Sequence, residues 1–510
     1  MILKKRTIDN EQTRLLSSNL GIDNSIAGIL VARGIDTLDA AKDFLFPDNK
    51  RLPVFGIPNM DKAVERIKTA VVNSETILIY GDYDCDGICA VTILKLYFES
   101  IGAKVCHHIP LRADGYGLSL VALENVVEKF MPDLIITVDC GITAVEEVEY
   151  CYEALGVDII ITDHHEPCET LPECIIINPK LDAHSPLRDI CGAGVALKLV
   201  EALDGYDKAM EYVDIACIAT IADVVPLVGE NRKIVALGLK KMNEFERPGI
   251  KLLAKSINID KLQASDIGYR IAPRLNASAR MGNTNDILPI FTSNEYFELE
   301  SLVAQLNNDN EKRQTLTNKV YCEAMQQLKS LKLEHLSVIV LHCSSWESGV
   351  LGLVAARLAQ EFFRPAILLN SKNEFCRGSA RSISGINIFQ CLNACSNLLT
   401  QYGGHEGAGG LTINIAKLEQ FKENIDKYIK DTYPQSLFEQ VVEYDIEITD
   451  KRQIDKAFYK QLELLEPTGE GNPPAVLLLN SNIAAISRIG NTKHVKIKLN
   501  REAEAVAFNA

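Results

Sequence analysis

The sequence is short of positive charge: 53 Lys and Arg stand against 68 Asp and Glu, a formal net charge of −15, which excludes a generally basic DNA-coating protein. No apolar run approaches the ~18 residues of a membrane span. The basic start MILKKRT runs into polar Ile8-Asp-Asn-Glu-Gln-Thr, so an apolar signal core is missing too. None of the 14 cysteines forms a C-x-x-C pair, and Cys106, Cys140 and Cys217 sit in apolar runs, where a free thiol behaves as a small hydrophobe. A reducing cytoplasm is the expected compartment, and the 510-residue length, enough for domains that bury their own cores, excludes a small disulfide-stapled scaffold. Trp346 is the single tryptophan, so aromatic stacking on a ligand falls to the 16 Tyr and 16 Phe. Internal repeats, low-complexity stretches and long linkers are also missing. What is present is ordinary globular material, 47% hydrophobic and 24% charged, in a 510-residue chain. At roughly 100–200 residues per domain this suggests about three or four domains.

Residues 1–70 read as short helices broken by Gly21, Gly34, Pro47, Pro53 and Pro58, a lead-in rather than a separate domain. From Thr76, short β-branched runs recur with helical segments between most of them: Ile77 to Tyr80, Val105 to Ile109, Leu134 to Val138, Val157 to Thr162 and Cys174 to Ile177. Continuous apolar strands alternating with helices predict a buried parallel sheet, hence an α/β domain over residues 71–235 with a buried helix near 211–223. Residues 236–330 read as a helical connector. A second α/β unit is predicted over 331–432, with strands Val338 to Leu341 and Pro365 to Leu369 flanking a helix at Val350 to Phe363. Residues 433–510 carry short strands and a Gly/Pro turn at Pro467 to Pro474, the pattern of a small β domain.

Three predicted strands run directly into acidic or histidine residues. ILIYGDYDCDG brings Asp82, Asp84 and Asp86; IITVDCG brings Asp139; IIITDHH brings Asp163, His164 and His165. The carboxyl ends of strands in an open parallel sheet line one crevice, so residues distant in sequence converge there. Asp223, ending the buried helix, is placed to join them. Singly each signal is weak: D-x-D-G is commonly a turn with Gly87 at positive φ, and one histidine can satisfy a backbone carbonyl. The shared position at successive strand ends carries the reading. Carboxylates so crowded repel one another and resist desolvation unless a cation joins them. Oxygen ligands favour Mg²⁺ or Mn²⁺, and an imidazole tilts the choice toward Mn²⁺. Asp82 and Asp84 are expected on the same side of an extended segment, each addressing one of two ions, with Asp139 able to bridge. Such a pair, ~3.5–4 Å apart, suits displacement at phosphorus. Asp86 and Asp163 read as structural, orienting a turn and a histidine respectively. Cys191-Gly-Ala-Gly194 lacks the strand-turn-helix setting of a dinucleotide fingerprint and is set aside.

In this order GDYDCDG, VDCG, DHH and ADVVPL resemble the DHH phosphoesterase superfamily. PLRADGYGL (110–118), INPK (177–180), PRLNASARMG (273–282), LNNDNEKRQ (306–314), WESGVLGLVAARL (346–358), GSARS (378–382), GGHEGAGG (403–410) and EPTGEGNPP (466–474) are similar to motifs of its RecJ family, single-strand-specific 5′→3′ DNA exonucleases. The resemblance runs from about residue 15 to residue 510. It implies a parallel-sheet DHH domain, a helical connector, a DHHA1-type α/β domain and an OB-like β domain that is incomplete, since RecJ relatives normally continue beyond AVAFNA; a fragment is the expectation. Carried over residue by residue, it implies one ion on Asp84, Asp139, His164 and Asp223, and a second on Asp82 and Asp139. His165 would contact the scissile phosphate or steer a ligand, which makes Asp139, His164 and His165 the catalytic group. The implied activity is release of 5′-mononucleotides from single-stranded DNA in repair and recombination, with two Mn²⁺ or Mg²⁺ ions. A cytoplasmic monomer is expected, with a single-strand-binding protein and a helicase as candidate partners.

A terminal phosphate is best held by Arg forks, hydroxyls and glycine-exposed amides. Arg112, Arg280, Ser379 and Arg381 stand in RecJ-like motifs that grip the 5′-phosphate and its neighbours, and GGHEGAGG with His405 suits a phosphate wall. Tyr116, between Gly115 and Gly117, is a candidate base stacker. Residues 481–501 hold five Lys/Arg and no acid, and in HVKIKL the cationic His494, Lys496 and Lys498 alternate with Val495, Ile497 and Leu499. Lys493, Lys496 and Lys498 are thus the expected strand-tracking residues of an OB-type surface. Glu347 stands where RecJ sequences commonly carry His. Two rival readings stay open. One is an oligonucleotide or cyclic-dinucleotide phosphodiesterase of the same superfamily, against which the GEGNP turn argues. The other is a non-catalytic RecJ-like scaffold, against which the full ligand set argues.

Overall fold

The computed structural model describes residues 2–47, 51–111, 117–280, 287–331, 333–372, 374–449, 453–490, 494–499 and 504–508. The chain divides into two compact units, one made of Lys4–Val303 with Glu443–Ala510, the other built on Ala304–Val442.

The larger unit is organised by a fully parallel sheet of β1 (Ile77–Gly81), β2 (Val105–His108), β3 (Leu134–Val138), β4 (Asp158–Thr162) and β5 (Ile175–Ile177), in the order β2-β1-β3-β4-β5. Every residue of β1 and β3 is buried, which is why these strands read as unbroken Ile/Leu/Val runs rather than alternating ones. From β1 the chain moves to β2 on one side and resumes at β3 on the other. The crevice beyond the carboxyl ends of β1 and β3 is therefore the topological switch point, where doubly wound sheets bind their ligands. The helices Cys85–Ser100, Gly192–Asp204 and Val213–Ala222 pack on one another and are largely buried.

The N-terminal helices find their core with the distant C-terminal segment: Leu16, Ile26, Leu30 and Phe44 cluster with Leu465. Arg232 crosses the same junction. Only 2% exposed, its guanidinium lies 3.7 Å over the Phe44 ring and donates to the carbonyls of Phe44 (2.7 Å), Glu466 (2.7 Å), Pro467 (3.0 Å) and Leu465 (3.2 Å). Five carbonyls including Leu464 converge on one planar cation, a geometry that suits the fixed fork of arginine.

The other unit holds a mixed sheet of β6 (Ile339–Cys343), β7 (Ala366–Asn370), β8 (Phe375–Arg381), β9 (Leu399–Gly404) and β10 (Ala408–Asn414), ordered β9-β10-β8-β7-β6. The helix Ser348–Phe362 packs against β7 and β8. Trp346 is 1% exposed in the same core, and its indole donates to Glu323 at 2.9 Å.

The strands beyond residue 445 fall in two sheets, a parallel pair of β11 (Ile446–Ile448) with β12 (Leu477–Leu479), and an antiparallel meander of β13 (Ile483–Ile489), β14 (His494–Leu499) and β15 (Glu504–Phe508). Every residue of β13 is exposed, so this meander buries little core of its own. Among the described residues no helix is long and apolar enough to cross a membrane.

Candidate metal centre and phosphate-binding face

Asp82 follows β1 and is 3% exposed; Asp84, two residues on, caps the helix Cys85–Ser100 by accepting from the amides of Asp86 (2.9 Å) and Gly87 (3.2 Å). Gly87 is required for close approach: a Cβ there would stand 2.5 Å from the Asp82 carbonyl oxygen. Asp139 follows β3 in the left-handed region, at φ 61°, a conformation Asp tolerates at a cost of about 1–3 kcal/mol. One carboxylate oxygen from each of Asp82, Asp84 and Asp139 lies within 4.8 Å of the others.

His164 and His165 follow β4. The His164 Nε2 lies 3.0 Å from Asp139 Oδ1, 3.6 Å from Asp86 Oδ2 and 3.8 Å from Asp223 Oδ2, yet is buried without a hydrogen-bond partner. Burial pulls its pKa down to about 4, so at neutral pH the ring is uncharged and able to ligate. Asp163 is the histidine-orienting residue the sequence predicts: its Oδ1 accepts from the amides of His164 (2.7 Å) and His165 (3.1 Å) and meets His165 Nδ1 at 2.7 Å, while Oδ2 accepts from Ile142 (2.9 Å). Burial alone would raise its carboxyl, but the His165 contact, the Ile142 amide and His164 together outweigh that and hold it below the ordinary value. Asp223 caps the end of the helix Val213–Ala222. Burial, then the charges of Asp86 and Asp84, push it up to about 8. Burial and the same crowd of carboxylates hold Asp139 well above the usual range. A bound cation relieves both strains at once, and the donor set of carboxylate oxygens with one imidazole is that of Mn²⁺ or Mg²⁺.

Several contributors escape the sequence reading. The turn that Asp86 is expected to orient is capped by Asp84 instead, and the Asp86 side chain points elsewhere. Its two oxygens accept from Gly192 and Ala193, each at 2.7 Å, anchoring the start of the helix Gly192–Asp204, and it groups with His164 and Asp223 in an arrangement able to hold an ion. The Cys191-Gly-Ala-Gly194 stretch matters for this contact: a Cβ on Gly192 would stand 2.7 Å from that of Asp139. Asn276, inside PRLNASARMG, accepts from Cys85 N at 3.0 Å, and Asn178, inside INPK, donates to His165 O at 2.9 Å. Both stand in segments that resemble RecJ-family motifs, which is the signal the sequence carries for them.

In the other unit Ser379 and Arg381 share β8, with Arg381 Nη1 donating to Ser379 Oγ at 3.0 Å. Gly352 lets its helix approach them, since a Cβ there would be 2.8 Å from Arg381 Nη2. His405 is exposed at the turn between β9 and β10, beside the glycine strand that pairs with β8, and Glu347 caps the helix Ser348–Phe362 without a side-chain bond. On β14, Lys496 meets Glu504 at 2.7 Å and Lys498 pairs in register with the same acid, so the expected cationic face is partly neutralised. Arg112, Tyr116 and Lys493 lie outside the described residues, as does the side chain of Arg280.

A parallel sheet of order β2-β1-β3-β4-β5 bearing this Asp/His cluster at its switch point defines a DHH-type domain. Residues 76–224 match the DHH family, N-terminal domain; residues 335–431 match the DHHA1 domain and residues 444–510 the RecJ OB domain. The chain belongs to the RecJ family: it is 31% identical to the single-stranded-DNA-specific exonuclease RecJ of Salmonella typhimurium, covering 70% of that protein. It is 36% identical to the Bacillus subtilis exonuclease of the same name, an alignment taking in 98% of this chain and 65% of the relative. The fold matches RecJ from Thermus thermophilus, solved in complex with Mn²⁺, with a TM-score of 0.86 and 29% identity over 100% of this chain and 74% of that one. The chain thus spans about two thirds of the length of these curated relatives, 65% and 66% for the Bacillus and Thermus proteins.

Proposed function

We propose that this chain carries the catalytic machinery of a metal-dependent exonuclease that hydrolyses single-stranded DNA from its 5′ end to 5′-mononucleotides, in DNA repair and recombination. The observation that carries the reading is the cluster of Asp82, Asp84 and Asp139 at the switch point, facing the buried, uncharged His164. Asp84, Asp139, His164 and Asp223 hold one divalent cation and Asp82 with Asp139 a second, Mn²⁺ or Mg²⁺. When bound, the pair supplies Lewis acidity and an activated water for attack at phosphorus. The chain supplies the rest. Asp139 stands in the left-handed backbone region and belongs to both groups, with Asp82 and Asp84 and with His164 and His165, so it would offer oxygens to both positions. Asp163 fixes the Nδ1 side of His165, leaving Nε2 to meet the scissile phosphate. Ser379, Arg381 and His405 hold phosphate on the DHHA1-type unit; on the larger unit Arg112 and Arg280 serve phosphate contacts and Tyr116 stacks a base. Lys493, Lys496 and Lys498 track the strand, with Glu504 tempering their charge. The cytoplasm is the fitting compartment for a chain whose 14 cysteines are all free.

The test compares 5′-labelled single strands, matched duplexes and dinucleotides in Mn²⁺. Labelled mononucleotide is expected from long single strands alone, with Asp139→Ala at least about a hundredfold slower. A preference for dinucleotides would establish the rival phosphodiesterase reading, and an unimpaired Asp139→Ala would refute the metal assignment.

A further inference from the structure

The motif EPTGEGNPP lies some 240 residues beyond Asp223 in sequence, yet its turn is built onto the loop that follows that aspartate. Glu470 O accepts from Leu227 N at 2.7 Å. Both glycines of the turn are contact positions: a Cβ on Gly469 would stand 2.7 Å from Leu227 Cδ1, and one on Gly471 would stand 2.9 Å from Pro226 Cβ. The turn is itself held firmly. Gly469 and Asn472 exchange backbone bonds at 2.9 and 3.2 Å, and the wholly buried Asn472 amide donates to Leu465 O (2.8 Å) and Pro467 O (2.9 Å). Arg232 grips the same stretch from below, and Arg33 donates to Pro473 O at 2.8 Å.

The loop so clamped contains a strained residue. Val224, next to Asp223, has φ 59°, and for a β-branched side chain that region is an outlier costing about 1–3 kcal/mol. Such strain persists only where the surroundings over-determine it. The surroundings here are the turn above Pro226–Leu227 and Asn231, whose buried amide donates to Pro226 O (3.1 Å) and to Asp189 O (2.7 Å), three residues before Gly192. One amide therefore ties the Asp223 loop to the segment that leads into the Gly192 contact with Asp139.

From this arrangement we infer that the Glu466–Pro474 turn of the C-terminal domain is a positioning element for the metal ligand Asp223, and that Gly469, Gly471 and Asn231 set metal affinity without touching the ion. The inference rests on the metal assignment above. It gives the C-terminal domain a part in the metal centre distinct from any grip on the strand.

Gly469→Ala and Gly471→Ala, in the full chain, test it by Mn²⁺ titration calorimetry alongside thermal melting without metal. Each variant should melt cooperatively and bind Mn²⁺ about tenfold more weakly, the range seen when groups supporting metal ligands are lost. Adding Leu227→Val to Gly469→Ala removes the Cδ1 that the new methyl meets and should recover most of that loss. Hydrolysis of the p-nitrophenyl ester of thymidine 5′-monophosphate, which presents no strand, should fall at low Mn²⁺ and recover at saturating Mn²⁺. Two cooperatively folded variants with wild-type Mn²⁺ affinity would overturn the inference. A wild-type chain that binds no Mn²⁺ would instead overturn the metal assignment beneath it.

Discussion

Gly192→Ala sets two effects of known sign against each other. Gly192 is the first residue of the helix Gly192–Asp204, and alanine favours a helix over glycine by at most about 1 kcal/mol, less at an end. Were the position merely helical, the variant would be slightly more stable. The alanine methyl, however, would lie 2.7 Å from Asp139 Cβ and 2.8 Å from Oδ1, where ordinary contact begins at 3.4 Å. Something must therefore move by about 0.7 Å, the difference between 3.4 and 2.7 Å. Gly192 N is bonded to Asp86, and Asp139 is held by its own amide on Thr162 O at 3.0 Å, so neither side yields freely. Overpacking of this kind costs about 1–3 kcal/mol, which outweighs the helix gain. Metal–ligand distances tolerate only about 0.2 Å, so a carboxylate displaced by several tenths of an ångström should lose Mn²⁺ affinity by about 10–100-fold. Urea denaturation without metal and Mn²⁺ titration calorimetry read the two quantities separately. A variant at least as stable as wild type, with unchanged Mn²⁺ affinity, would refute the reasoning.

Metal-free stability should depend on pH in a direction the site dictates. Asp223, at about 8, and Asp139 have folded values above those of the unfolded chain, so their contribution is complete below the unfolded carboxylate value of ~3.9 and is lost as pH rises through the folded values. His164, depressed to about 4, acts oppositely, contributing above ~6.5 and losing that as pH falls through its folded value. Between about pH 6.5 and 9 the melting temperature without metal should therefore decline, with Mn²⁺ raising it most at the alkaline end; a flat metal-free profile would contradict this. Arg232→Met strips the donors from the carbonyls of Phe44 and Leu464–Pro467 and should cost about 3–5 kcal/mol in urea denaturation, with Arg232→Lys recovering only part because an ammonium cannot reproduce the fork. A loss below about 1 kcal/mol would show that water replaces the guanidinium.

The sheet was legible because a strand buried on both faces must be an unbroken apolar run, and those runs stop where acids begin. That places Asp82, Asp84, Asp139 and His164 at one edge, since the parallel order alone brings strand ends together, whereas Asp223 ends a buried helix and is brought to them by packing. What sequence pattern could not show were contacts set by packing. Asp86 reaches a helix start 106 residues away, Asn276 reaches back 191 residues to Cys85, and the partner of the N-terminal helices is Leu465. Periodicity carries no information about such pairs. Charge counting failed on β14 for a related reason: Glu504 falls just past the basic stretch, and only the strand register sets it against Lys496 and Lys498.

The placement of Trp346 has an optical consequence. The lone indole is sealed inside the unit built on Ala304–Val442, so emission excited at its absorption edge reports that unit and nothing else. Its native fluorescence should be blue-shifted by the apolar surroundings and sensitive to the neighbouring Glu323 carboxylate. Far-ultraviolet circular dichroism sums over both units. A gap between the two melting curves would measure, without any label or substitution, how independently the DHHA1-type unit opens.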